Sequence, residues 1–317
     1  MKTKIILLLS LALVLPAWAG VLPNDAIVDG RSLSEWTAEW WKWVFSVPTN
    51  ENPHLDASGR WANAGQPDAP VFFLGGSAGL SPDTIVRTFT VPEDKFLLVP
   101  VLVAQADNID TFPPLATEEL RNLLRGFVDA PRELHAMVDQ MAVSDLVEHR
   151  VESGVFTFEF FNPDNFKTFG QGHPILGLVD PVLSDGYWLM IEPLPVGVHV
   201  LHYGGTWNLP FFFPNDIVAN ITVVPISLQE RVESLMTTVA AANLSPKSAR
   251  PLLSALRGAA KSFERGHVRS GIHHLRAFQK KVHAQIAPDD QGLASRLIQS
   301  AQGIIERANR NLKCSTN

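Results

Sequence analysis

The chain has 317 residues, 46% of them hydrophobic, enough for a substantial core, and a formal net charge of −6. A single cysteine, Cys314, excludes an intramolecular disulfide framework. Beyond the first 19 residues no stretch is long and apolar enough to span a bilayer, and the acidic balance of the larger part disfavours nucleic acid as its ligand.

Lys2 and Lys4 open the chain, residues 5–15 are apolar, Pro16 breaks the run, and Ala17-Trp18-Ala19 has the small-x-small form of a signal cleavage site. Cleavage after Ala19 is expected, leaving Gly20 as the new N-terminus of a secreted or periplasmic protein. The apolar run is short for a membrane span, and no cysteine follows it to carry a lipoprotein anchor. Charge is uneven along the remainder. Residues 20–226 carry 10 basic against 26 acidic side chains, a net of −16, and residues 227–317 carry 14 against 6, a net of +8. Three parts are therefore expected: signal peptide 1–19, acidic β-rich domain 20–225 and basic helical domain 226–313.

Residues 32–47 read as a helix, capped by Ser32 or Ser34 with Glu35 in the first turn. Trp36, Trp40 and Trp43 share one face; Glu39 and Trp41 lie off it. Residues 49–70, rich in Asn, Pro, Gly and Asp, read as a long loop. Strands are expected over 71–74, 84–91 and 96–103, with Pro100 pointing to an edge or a bulge. A helix is expected over 117–127. Residues 155–161 alternate, with Phe156, Phe158 and Phe160 on one side. Ser184-Asp185-Gly186 reads as a turn before a strand over 187–192, followed by strands over 198–203 and along 217–223. The expected fold of this part is a β-sandwich or jelly-roll-like domain with a few added helices. After Pro225 the apolar period changes from two to 3.6, and four stripes predict a small all-α antiparallel helical bundle.

The tail resembles the FIMAH domain, a helical module at the C-terminal end of secreted bacterial proteins. The likeness is carried by "LSPKSARPLLSALRGAAKSFERGHVRSGIHHLRAFQKKVHAQ" and "LASRLIQSAQGII". It departs from the family at Gly266-His267, which stand where an Asn-rich turn is more usual. The resemblance implies an extracellular setting rather than an activity. The front part resembles a group of exported bacterial proteins with no assigned activity, through "LSEWTAEWWKWVFSVP", "NPHLDASG", "VFFLGG" and "SDGYWLMIEPLPVGVHVLHYGG".

Trp36, Trp40, Trp41 and Trp43 offer faces for stacking on sugars, with Glu35 and Glu39 as hydroxyl acceptors or an acid/base pair; the plainer reading makes three of these rings the core face of a helix packed on the sheet. Asp107, Asn108 and Asp110 bring hard oxygen ligands to one loop, which suits Ca²⁺ or simply a solvated turn, and Asp56 with Ser58 and Gly59 is a second oxygen-rich turn. His199 and His202, three apart in a strand, face opposite sides, which argues against shared metal ligation. Arg257, Lys261, Arg265 and Arg269 recur every four residues as a candidate stripe for an anionic partner. No nucleophile elbow, phosphate loop or H-E-x-x-H motif occurs. The expected function is a non-catalytic exported binding protein, with extracellular glycan as ligand or an anionic envelope component as partner. The alternatives are a secreted polysaccharide hydrolase or lyase using front-domain carboxylates, and a structural envelope or matrix protein.

Overall fold

The computed structural model describes residues 20–78, 81–207, 214–242 and 244–314; the expected signal peptide, residues 1–19, and the Cys314 side chain lie outside that set. Two units make up the chain, residues 1–224 and 225–317. The first mixes strands and helices, and the described residues of the second are helical without strands.

In the first unit a short hairpin, β1 (Ile27–Val28) and β2 (Arg31–Ser32), leads into α1 (Leu33–Ser46). Then follow β3 (Val71–Phe73), β4 (Ile85–Pro92), β5 (Phe96–Asp107), α2 (Thr117–Val128), β6 (Arg132–Val138), β7 (Met141–Ala142), β8 (Arg150–Glu152) and β9 (Phe156–Phe160). The unit closes with α3 (Phe166–Gln171), β10 (Gly177–Ile191), β11 (Gly197–Thr206) and β12 (Asn215–Val224). The second unit holds α4 (Leu228–Ala241), α5 (Pro246–Glu264), α6 (Val268–Gln285) and α7 (Gln291–Cys314). No helix among the described residues is long and apolar enough to cross a membrane.

One sheet runs in the order β3-β5-β10-β8, with β9 also paired to β10, and the other in the order β4-β12-β11-β6-β7. Pairing is antiparallel except for β3 with β5 and β4 with β12. One hydrophobic core draws on both: Phe72, Leu97, Val99 and Leu189 from the first sheet, and Phe89, Tyr203, Ile217 and Ile221 from the second. A separate core joins the opposite face of the first sheet, including Phe73, Leu98, Trp188 and Met190, to the tryptophans of α1. Covering on both faces explains why β3, β5 and the end of β10 are nearly continuous apolar runs. The second sheet is covered on one face, so β12 alternates between buried and partly exposed residues.

Two expectations are corrected. Ser184-Asp185-Gly186 is not a turn but the middle of β10. Ser184 N donates to Ser153 Oγ at 2.9 Å, and Asp185 is clamped by Arg150. Gly186 is required there by close approach, since a Cβ would lie 2.5 Å from the Leu102 carbonyl oxygen. Second, β6 through β8 lie where no strand was expected. Pro100, by contrast, does sit at a bulge, with Tyr187 opposite Leu102 and Trp188 opposite Pro100.

The apolar stripes of α4 to α7 meet in one core that includes Val232, Leu235, Leu256, Phe263, Leu275, Phe278, Leu297 and Ile305. Ser227 caps α4 in a reciprocal box with Glu230, and Ser245 caps α5 ahead of Pro246 at its first turn.

Candidate functional site

The first unit contains a cavity of about 210 Å³. Its aromatic wall comes from Trp41 of α1, Phe127 of α2, Phe166 of α3 and Trp207, just past β11; His54, Ser77, Gln105 and Asn215 add polar groups. The bulge in β5 prepares one side. There Asn215 Nδ2 of the other sheet donates to the carbonyls of Pro100 and Val101, at 3.2 and 2.7 Å. Asn215 Oδ1 accepts from Ser77 N at 2.8 Å, which anchors the chain leaving β3.

His54 is placed by the loop after α1. Asn52 Nδ2 donates to the carbonyls of Val44 in the last turn of α1 (2.7 Å) and of Val47, its C-cap (3.0 Å), and its Oδ1 accepts from His54 N. The imidazole packs edge-on against Trp40 and Phe166, each 5.2 Å between ring centroids. Gly76 N donates to His54 Nδ1 at 2.9 Å, so Nδ1 holds the lone pair and Nε2 the proton. Only glycine allows this approach, because a Cβ at position 76 would lie 2.7 Å from His54 Cε1.

Behind this loop Arg87 of β4 is buried, and its guanidinium donates to the carbonyls of Asp56 (2.6 Å), Gly75 and Gly76 (2.8 Å). Tyr203 OH donates to the Gly75 carbonyl at 2.9 Å. Arg87 thereby ties the His54 loop to the segment after β3. Burial, aided by the Arg87 charge, pushes the His54 imidazole down to about 3, so it is neutral at physiological pH. Burial pushes the Tyr203 hydroxyl up to about 12.

The chemistry follows from what is left unpaired. With its lone pair occupied, His54 is no general base; its Nε2–H has no acceptor among the described residues and is not sealed from the cavity. The Trp41 indole N–H is buried with no acceptor. Such a donor costs about 1–3 kcal/mol while unmet. At the rim, Gln105 is held with its amide nitrogen donating to Asp107 Oδ2 (3.0 Å) and its oxygen accepting from Lys167. No carboxylate lines the cavity among the described residues.

The residues singled out in the sequence are brought together in part. Trp36, Trp40, Trp41 and Trp43 are 1%, 0%, 4% and 4% exposed, so no exposed stacking strip exists. Three of them stitch α1 to the chain around it: Trp36 Nε1 donates to Val28 O (3.0 Å), Trp40 Nε1 to Leu74 O (2.7 Å) and Trp43 Nε1 to Ala64 O (2.8 Å). Trp41, placed off the stripe by its spacing, is the one that lines the cavity. Glu35 is the partner of Ser32 in a capping box, its carboxyl held below the usual range chiefly by the Ser32 backbone N–H. Glu39 pairs with Lys42 at 2.9 Å and Arg31 at 4.0 Å, so the two carboxylates form no acid/base pair at the cavity.

Asp107, Asn108 and Asp110 do not converge on a shared oxygen cage. Asp107 pairs with Lys167 at 2.6 Å, Asn108 closes its loop onto Leu115 through both amide atoms, and Asp110 meets His173 at 2.7 Å. Asp56 likewise accepts from its own loop, at Ser58 and Trp61. Arg257, Lys261, Arg265 and Arg269 are all exposed and in no ion pair among the described residues. They do not lie on one helix face: Arg257 and Lys261 are a turn apart on α5, Arg265 is its C-cap, and Arg269 is on α6 beyond Gly266.

Sequence reading missed His54, Arg87 and Trp207. The motifs "NPHLDASG" and "VFFLGG" contain His54 and Gly76, but nothing local shows that Arg87, 33 residues beyond His54 and 11 beyond Gly76, lies behind them. No family model, no curated protein and no solved structure matches the chain.

Proposed function

We propose that this is an exported, non-catalytic binding protein whose first unit takes one neutral ring-shaped molecule into the His54 cavity, a monosaccharide unit of an extracellular glycan being the best fit. The observation that carries the reading is a donor with no acceptor among the described residues, His54 Nε2–H, at a cavity with aromatic walls that include Trp41. A cavity of about 150 Å³ accepts a benzene ring, so 210 Å³ suits one substituted six-membered ring rather than a chain. Aromatic faces stack on its apolar side while a hydroxyl or carbonyl oxygen meets the His54 Nε2–H. A hydrolase or lyase would need carboxylates facing the substrate, and the described residues that line the cavity supply none. In this reading the two sheets form a β-sandwich, and residues 226–313 form a small antiparallel FIMAH-like bundle that serves as an accessory interaction module.

The test uses tryptophan emission, which reports the first unit alone because residues 225–317 contain no tryptophan. Titration of the chain from Gly20 with neutral monosaccharides and N-acetylhexosamines is expected to give a saturable change. Trp207→Ala is expected to weaken binding at least tenfold, about 1.4 kcal/mol. A flat response to the whole panel overturns the reading.

For the second unit we propose an anionic envelope polymer as partner, supported by a net charge of +8 on residues 227–317 and by four exposed basic side chains that form no ion pair among the described residues. Retention of the chain on an anionic glycan column is expected to fall as salt rises, since exposed charges are screened beyond about 10 Å at 0.1 M salt. Replacing Arg257, Lys261, Arg265 and Arg269 together by Gln is expected to abolish the salt-sensitive part. Retention indifferent to salt, or unchanged by the four substitutions, removes this reading.

A further inference from the structure

We propose that His135, His202 and Asp216 form a binding site for a divalent transition-metal ion of the zinc class on the outer face of the second sheet. Gly204 of β11 lies opposite Asp216 of β12 on one side and opposite His135 of β6 on the other. His202, two residues before Gly204, shares their face. The ligand atoms of the three side chains all lie within 4.8 Å of one another. His202 Nε2 is 2.7 Å and His135 Nε2 3.3 Å from the same Asp216 oxygen, and the two rings are 4.6 Å apart.

A second observation points to a cation between them. His135 Nδ1 is 2.9 Å from the Glu133 carbonyl oxygen, which can only accept, so Nδ1 carries a proton and, in the neutral ring, Nε2 presents its lone pair. That Nε2 is buried and makes no hydrogen bond. A neutral His135 would set that lone pair against a carboxylate oxygen, so the contact calls for a positive charge between them, either a second proton on the ring or the metal ion proposed here. The outer shell is also in place: the Glu133 carbonyl fixes the tautomer of His135, and Thr84 Oγ1 donates to the other Asp216 oxygen, Oδ2. Two imidazole nitrogens and one carboxylate oxygen suit Zn²⁺ and its neighbours rather than Ca²⁺ or Mg²⁺, which take mainly oxygen ligands. Tetrahedral zinc with bonds of about 2.1 Å sets its ligands about 3.4 Å apart, so His202 and Asp216 separate slightly on binding while His135 and Asp216 already match. Three protein ligands leave a fourth position for water or another donor.

The test is titration of the untagged chain from Gly20 with Co²⁺, followed by displacement with Zn²⁺. The expected result is one site with visible d–d absorption, weakened at least tenfold in His135→Gln and in His202→Gln and unchanged in His199→Gln, whose ring faces Asp139 instead. Tryptophan emission checks that each variant is folded. Should either ligand variant unfold, Thr84→Val keeps all three ligands and is expected to weaken Co²⁺ about tenfold by releasing the carboxylate. Absence of the d–d bands overturns the proposal. So does uptake equal in wild type, His135→Gln and His202→Gln, which would place the ion on other histidines.

Discussion

Replacing Arg87 with leucine is expected to lower the stability of the first unit by about 3 kcal/mol or more. The side chain is buried, and its guanidinium is the donor to three carbonyls, those of Asp56, Gly75 and Gly76. Leucine keeps apolar volume but leaves those oxygens short of a donor, each at about 1–3 kcal/mol, with Tyr203 OH still serving Gly75. Arg87→Lys is expected to recover little of the loss, because one ammonium cannot reproduce a planar fork spread over three acceptors. Guanidinium denaturation followed by tryptophan emission measures the effect without interference from the helical unit. Both variants should also lose ligand binding, since the same bonds hold the His54 loop against Gly76. A loss below about 1 kcal/mol for Arg87→Leu would show that the two loops are held by something else.

The second large effect is a fall in stability on acidification that originates at His54. Its folded value is near 3, while an unfolded histidine titrates near 6.5. Between those values the unfolded chain binds the extra proton. The stabilising contribution is therefore complete above pH 6.5 and is lost as pH falls, at about 1.4 kcal/mol per pH unit and about 2–3 kcal/mol by pH 4.5. His149, lowered by burial, acts in the same direction, and exposed His173, raised by Asp110, acts in the opposite one. Asp56 and Asp216, lowered despite their burial, lose their contributions only as pH falls below about 3.8, outside this window. The difference between wild type and His54→Asn isolates the effect, because Asn Oδ1 can stand where Nδ1 accepts from Gly76 but does not titrate. Unfolding midpoints from pH 7.5 to 4.5 are expected to diverge. Parallel curves for the two proteins would contradict a buried neutral His54.

Periodicity in the sequence was a good guide wherever one element buries one face. Trp36, Trp40 and Trp43 identified the packed side of α1, and the Phe156, Phe158, Phe160 alternation identified β9. Trp41 escaped because its burial comes from the 52–54 loop and α3, not from the sheet under α1. Residues 184–186 look like a turn because Ser, Asp and Gly are turn formers. The Ser184 backbone N–H and the Asp185 carboxylate are instead taken by Ser153 and Arg150, partners 31 and 35 residues away that no local pattern reveals. β6 was hidden by two charged residues at its start and by the left-handed backbone of Glu133 within it and Asp139 just after, which spoil its alternation. His135 was hidden with it, so the company that His202 keeps could not be read from the spacing of His199 and His202. The cavity is assembled from segments between positions 41 and 215, and its chemistry depends on which donors remain unpaired after folding.

The most direct test of the binding site is nitrogen-15 NMR of the indole and imidazole N–H groups during titration with the same neutral monosaccharides and N-acetylhexosamines. At least one of them is expected to move the Trp41 Nε1–H and His54 Nε2–H resonances together and saturably, and His54→Asn is expected to weaken the Trp41 response. If neither resonance moves with any member of the panel while the protein remains folded, the cavity is a packing feature and the proposed function is wrong.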